Sequence, residues 1–130
     1  MTAEIKVPIS PGELIDKLTI LEIKAANISD AAKLANVNVE LQLLQDTWRS
    51  SAFANANVEA EWKQLRDINK KLWDIEDEIR DKERERKFDQ EFIELARAVY
   101  VTNDERAAVK KAINTKLGSK IVEEKSYAKY

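Results

Sequence analysis

The fold is decided by a stretch in the middle of the chain, residues 65–79, which reads LRDINKKLWDIEDEI. Its large aliphatic side chains are separated alternately by three and four residues: Leu65, Ile68, Leu72, Ile75 and Ile79. This spacing places them on one face of an α-helix, because a helix turns once every ~3.6 residues. Helices with such a stripe pack against one another at shallow angles, so the stretch predicts a long helix within a helical bundle.

Two earlier segments carry the same spacing of apolar residues. The first, residues 14–28, follows a helix start in which Ser10 can cap the helix and Pro11 occupies the first helical position. We therefore predict a helix over about residues 11–27. The second segment, residues 34–48, repeats the pattern after a short polar turn and predicts another helix.

The last predicted helix, which begins after Asp89, has the same spacing with an interruption. Thr102 and Arg106 occupy positions that an unbroken apolar stripe would fill. Either the helix breaks at Thr102, which can itself cap a helix, or it continues with a polar layer in its seam. We favour the continuous helix and expect Gly118 to end it.

Glycine and proline occur only near the two ends of the chain, as Pro8, Pro11, Gly12 and Gly118. Their absence from residues 13–117 favours helices, because the turns of β and α/β domains call for these residues. Residues 4–9 alternate polar and apolar, and we predict that they pair with residues 120–127 in a small two-stranded β-ribbon. The predicted fold is mainly α: one domain over residues 1–130, an elongated bundle of helical hairpins with that ribbon joining the termini.

The composition excludes several kinds of chemistry. The chain has no Cys and no His, so thiol nucleophiles, histidine-based triads and the usual zinc sites are excluded. No signal-peptide pattern and no apolar run of about 18–20 residues is present, so we predict a cytoplasmic protein without a membrane span. The final 25 residues are basic, but a net charge of −2 for the whole chain does not favour nucleic-acid binding.

Polar and aromatic side chains gather at one level if the last two helices fold back on each other about Phe88. The candidate site residues are Asp16, Lys17, Asn69, Trp73, Glu76, Asp77, Arg80, Tyr100, Asn103 and Arg106. Two interpretations stay open for them. They form either a partly buried network that fixes the register of the helices, or a ligand pocket of the kind that helical bundles build.

The residue types indicate what such a pocket would bind. Arg106 and Lys17 suit the carboxylate or phosphate group of a small anionic ligand. Glu76 and Asp77 suit a hard cation such as Mg²⁺, or acid–base chemistry. Pairs of acids three residues apart occur about as often as chance gives for 24 acids in 130 residues, so they are no evidence for a metal site. We predict no resident cofactor or metal.

Four motifs occur in order along nearly the whole chain: VPISPGELIDK at 7–17, LWDIEDEIR at 72–80, TNDERA at 102–107 and IVEEKSY at 121–127. Together they resemble a bacterial family of small helical proteins classed as a domain of unknown function. That family carries no activity that could be transferred to these residues. The resemblance implies a genomic neighbourhood of cell-surface polysaccharide assembly, and several motif residues coincide with the candidate site.

From these observations we predict a non-enzymatic binding or accessory protein, linked through the resemblance to surface-polysaccharide assembly. The alternative is an enzyme that acts on a nucleotide or sugar nucleotide and uses carboxylates with Mg²⁺. The regular apolar stripes of four helices also predict a homodimer, and a separate protein partner would suit an accessory role.

Overall fold

The computed structural model describes residues 3–130, and this part of the chain folds into four α-helices. They are α1 (Pro11–Asn27), α2 (Ala31–Arg49), α3 (Glu59–Glu85) and α4 (Gln90–Leu117). The mainly helical class is therefore confirmed, and α1 has the bounds that the sequence predicts. The favoured interpretation of the last helix is also confirmed, since α4 continues unbroken through Thr102.

Side-chain caps fix where three of the helices begin. The backbone N–H of Glu13 donates to Ser10 Oγ at 3.1 Å and thereby starts α1. Aspartates perform the same role for α2 and α4, because Asp30 and Asp89 each accept a hydrogen bond from a backbone N–H three residues later. At the other end of α4, Gly118 adopts a left-handed conformation with φ of 66°, which only glycine adopts without strain.

Helix α1 lies at the centre of the packing and contacts the other three helices, while α3 and α4 pack against each other as a hairpin. A cluster of buried apolar side chains joins α1, α3 and α4 through Ile15, Leu65, Val109 and Ile113, with Val58 beside them. Helix α2 packs along α1 and reaches α3 through Trp48, whose ring lies edge-on to that of Trp62 at 5.5 Å. None of the described helices is long and apolar enough to cross a membrane.

The predicted β-ribbon is wrong, because residues 3–130 contain no strand. The C-terminal segment, residues 119–130, lies along α4 instead. Lys110 Nζ pairs with Glu123 Oε2 at 3.0 Å, and the ring of Tyr130 packs edge-on to that of Tyr100 at 5.0 Å. The N-terminal residues 4–9 line a groove with α2. Each terminal segment thus lies beside a different helix. The C-terminal segment forms ion pairs with α4 instead of backbone hydrogen bonds with a second strand.

Candidate functional site

A cleft of about 470 Å³ opens between α1, α3 and α4. Seven of the ten candidate site residues line this cleft: Asn69, Trp73, Glu76, Asp77, Arg80, Asn103 and Arg106. Apolar side chains that the sequence analysis did not select complete the lining: Ile20, Ile23 and Leu72. The volume falls in the range of roughly 300–1,000 Å³ that is usual for small-molecule sites.

Asp16 lies behind the cleft and holds two of its lining residues in place. Its side chain is only 1% exposed, and Arg106 donates two hydrogen bonds to it, one from Nε to Oδ1 at 2.8 Å and one from Nη2 to Oδ2. Asn69 Nδ2 donates to the same Oδ1 at 2.9 Å. Burial opposes ionisation of Asp16, yet these hydrogen bonds and the nearby cationic charges outweigh it and lower its pKa.

Lys110 continues this network towards the start of α1 and the C-terminal segment. Its Nζ lies 2.6 Å from Glu13 Oε2, 3.0 Å from Glu123 Oε2 and 3.9 Å from Asp16 Oδ2. Burial alone would lower the pKa of Lys110, but the hydrogen bonds to Glu13 and Glu123 raise it above its ordinary value. The ammonium group therefore joins three separate parts of the chain.

Lys110 and Glu13 were not among the candidate site residues, although the charge pattern around each of them carries a signal. Glu13 and Asp16 are three residues apart on α1, while Arg106 and Lys110 are four apart on α4. Each spacing places two like charges on one face of a helix. Two such faces of opposite sign attract each other across the contact between α1 and α4.

Gly12 makes the close approach of α1 to α4 sterically feasible. Its backbone N–H donates to Asn114 Oδ1 at 2.8 Å. A Cβ at this position would lie 2.6 Å from the backbone oxygen of Lys110, which is far inside contact distance. The glycine of the SPGELIDK segment therefore serves the contact between helices as well as the helix start.

Lys17 and Tyr100 are the two selected residues that the fold places away from the cleft. Lys17 is exposed, pairs with Glu13 on its own helix at 3.8 Å and borders the groove beside α2. Lys17 follows Asp16 directly, and successive residues of a helix point about 100° apart around its axis. Because Asp16 points towards α4, Lys17 points away from it. Tyr100 packs on Tyr130 instead, because the C-terminal segment lies along this part of α4.

The charges that line the cleft are mixed. Arg80 pairs with Glu76 one turn earlier on α3, while Asp77 has no ion-pair partner among residues 3–130. Across the same described residues, no three acidic side chains come together in a way that could hold a metal ion. The cleft therefore combines an aromatic ring, amides, carboxylates and guanidinium groups with an apolar wall.

The fold and the cleft together define a class, an all-helical protein with a mixed-polarity cleft of small-molecule size. Comparison with protein families identifies the chain more closely. The model described as "Family of unknown function (DUF6165)" matches residues 5–130, and the chain therefore belongs to that family. Comparison with curated proteins gave no match, and comparison with solved structures gave none either.

Proposed function

We propose that this protein is a non-enzymatic binding or accessory protein that holds a small polar ligand in the cleft between α1, α3 and α4. The observation that carries the proposal is the position of the pair formed by Asp16 and Arg106. This pair is buried on its Asp16 side and opens into the cleft on its Arg106 side. A purely structural ion pair would not need an open face of this volume.

The ring of Trp73 supports the same proposal. Trp73 is half-buried and borders the cleft together with Leu72 of α3. An aromatic ring at such a position offers a flat apolar surface to a ligand while its N–H stays available as a donor. A rigid helical scaffold behind it would keep this surface in place between binding events.

The indole signals of a ¹⁵N-labelled protein test this proposal. The chain has three Trp residues, and only Trp73 lines the cleft, whereas Trp48 and Trp62 pack against each other elsewhere. We expect a ligand from a panel of saccharides, nucleotides, sugar nucleotides and small organic acids to shift the Trp73 signal alone. A Trp73→Phe variant identifies that signal by its loss.

Movement of all three indole signals by every active compound would contradict the proposal, since it would indicate a general change rather than a site. Melting temperatures of the same samples provide an independent measure, because a ligand that binds only the folded chain raises its stability. Lys17→Ala is a suitable control variant, as Lys17 is exposed and lies outside the cleft.

The alternative function, an enzyme that uses carboxylates with Mg²⁺, takes its support from Glu76 and Asp77 in the cleft. Nucleotides and sugar nucleotides are therefore measured with and without Mg²⁺ and Mn²⁺. Turnover of one of them that depends on the cation and is lost in an Asp77→Asn variant would favour the enzyme. Binding without turnover would favour the binding protein. On the basis of the family resemblance, we further propose that the protein has an accessory role in surface-polysaccharide assembly.

We also propose that the chain forms a homodimer through exposed apolar residues of α2 rather than through the apolar stripes. The apolar stripes are buried or half-buried within the chain, but Val39 and Leu43 of α2 are 70% and 46% exposed. Ile5 and Val7, which line the same groove as Leu43, are exposed as well, and that groove contains both acids and lysines. A surface that carries both signs of charge can pair with a second copy of itself about a twofold axis.

Sedimentation at micromolar concentration tests the homodimer. We expect a dimer that a Leu43→Glu variant dissociates, because the substitution places a charge in an apolar contact. An Ile93→Glu variant, which alters a comparably exposed residue near the turn between α3 and α4, should leave the dimer intact. A native chain that sediments only as a monomer would rule the proposal out.

A further inference from the structure

One polar group of the Asn69 side-chain amide has no hydrogen-bond partner within residues 3–130. Asn69 is 5% exposed, and its Nδ2 donates to Asp16 Oδ1 at 2.9 Å and to Thr19 Oγ1 at 3.0 Å. An ionised carboxylate can only accept, so chemistry fixes which end of the amide faces Asp16. The amide oxygen receives no hydrogen bond from residues 3–130, although Asn69 borders the cleft.

Arg106 is poorly suited to bind a free anion. Its Nε and Nη2 both donate to Asp16, so the positive charge of the guanidinium group already faces a buried negative charge. Its Nη1 makes only a long contact of 3.5 Å with Asn103 Oδ1 and keeps a hydrogen for another acceptor. What Arg106 offers to the cleft is a directed donor rather than an uncompensated charge.

Three of the four charged groups that border the cleft are already paired. Arg80 pairs with Glu76 on α3, and Arg106 pairs with Asp16 behind the cleft. Asp77 is therefore the one lining charge without an ion-pair partner among residues 3–130. An anionic ligand would therefore gain little from electrostatics, because the one unpaired charge of the lining is negative. The groups left over are acceptors, at Asn69 and Asp77, and donors, at Asn103 and Arg106.

We propose that the cleft takes a neutral ring bearing several hydroxyl groups, such as a sugar residue. A hydroxyl group both donates and accepts, and it can therefore serve Asn69 and Arg106 at the same time. The carbon-bound hydrogens on the face of such a ring pack against the indole of Trp73 and the aliphatic wall of α1. The inference rests on the proposed function, since it names the class of ligand for that same cleft.

The test compares neutral saccharides with anions on the ¹⁵N-labelled protein. Methyl glucoside, N-acetylglucosamine and maltose form the neutral set, while inorganic phosphate and citrate form the anionic set. We expect at least one saccharide to shift the Trp73 indole signal in a saturable way. Its Kd should stay unchanged between about 0.05 M and about 0.5 M NaCl, because salt screens interactions between charges.

Substitutions then separate the site from the rest of the fold. Trp73→Leu retains apolar bulk without a flat ring and should raise the Kd about tenfold, measured for this variant from the backbone amide signals of Asn69 and Leu72 because the indole is absent. Asn103→Ala should raise the Kd by a similar factor. Lys17→Ala should leave it unchanged, because Lys17 lies outside the cleft. Melting temperatures show that each variant is folded.

The outcomes distinguish the two proposals. If anions shift the Trp73 signal, their binding weakens with salt and saccharides are inactive, the class of ligand is wrong while the binding function stands. If no compound of either set shifts that signal, both proposals fail. If saccharides bind but Trp73→Leu and Asn103→Ala do not weaken them, they bind elsewhere and the inference is overturned.

Discussion

Helices α1 and α2 are similar in length and carry the same spacing of apolar residues, yet they are buried to very different degrees. Helix α1 contacts the other three helices and buries residues on several sides, among them Asp16 and Thr19. Helix α2 packs along α1, and Val37, still 9% exposed, is its one buried residue. Periodicity in the sequence thus identifies a helix and its apolar face. Whether the helix lies at the centre of the bundle depends on the contacts that its other faces make.

The largest difference between the two helices should come from their aspartates. Replacing Asp16 of α1 by Ala leaves Arg106 and Asn69 without their partner, and we expect a loss of about 3–5 kcal/mol in the free energy of unfolding. The matched change in α2, Asp46→Ala, removes an exposed carboxylate and should cost less than about 0.5 kcal/mol. Urea unfolding at neutral pH measures both. Equal losses would show that α1 has no special place in the fold.

A smaller effect is expected from adding a single methyl group. Gly12→Ala places a Cβ against the backbone oxygen of Lys110, which cannot rotate away, so α1 and α4 must separate slightly. Such overpacking typically costs about 1–3 kcal/mol. In α2, Ala35→Ser also adds one atom but points to solvent, and a change within about 0.5 kcal/mol is expected. Thermal unfolding measures the stability of both variants. An unchanged stability of Gly12→Ala would refute the close approach of the helices.

The smallest expected effect is the pH dependence of stability that Asp16 contributes to α1. Because the pKa of Asp16 is lowered in the folded state, its contribution to stability is complete above about pH 4, the usual pKa of an unfolded aspartate. That contribution is lost as the pH falls through the lower pKa of the folded state. Unfolding midpoints between about pH 5 and about pH 2 should therefore decline more steeply for the native chain than for Asp16→Asn. Identical curves would show that Asp16 is not the carboxylate responsible.

The helices and much of the cleft could be predicted from the sequence because both depend on local periodicity. A fold-back about Phe88 correctly brings Trp73 of α3 and Asn103 of α4 to one cleft. The contribution of Lys110 was missed because its partners lie on α1 and on the C-terminal segment, far away in sequence. The prediction of the β-ribbon was wrong for a related reason. Alternation in residues 4–9 predicts an extended segment but cannot predict which surface that segment meets.

Helix α4 is continuous, but its two halves have different neighbours. Its 28 residues span about 42 Å, and the side chains that form hydrogen bonds or ion pairs with α1 lie in the second half, at Arg106, Lys110 and Asn114. The first half packs on α3 close to a turn whose residues are almost all exposed. Backbone amides near the turn should therefore exchange with deuterium faster than those of the second half. One uninterrupted helix would then contain two regions of unequal local stability, and the cleft lies where they meet.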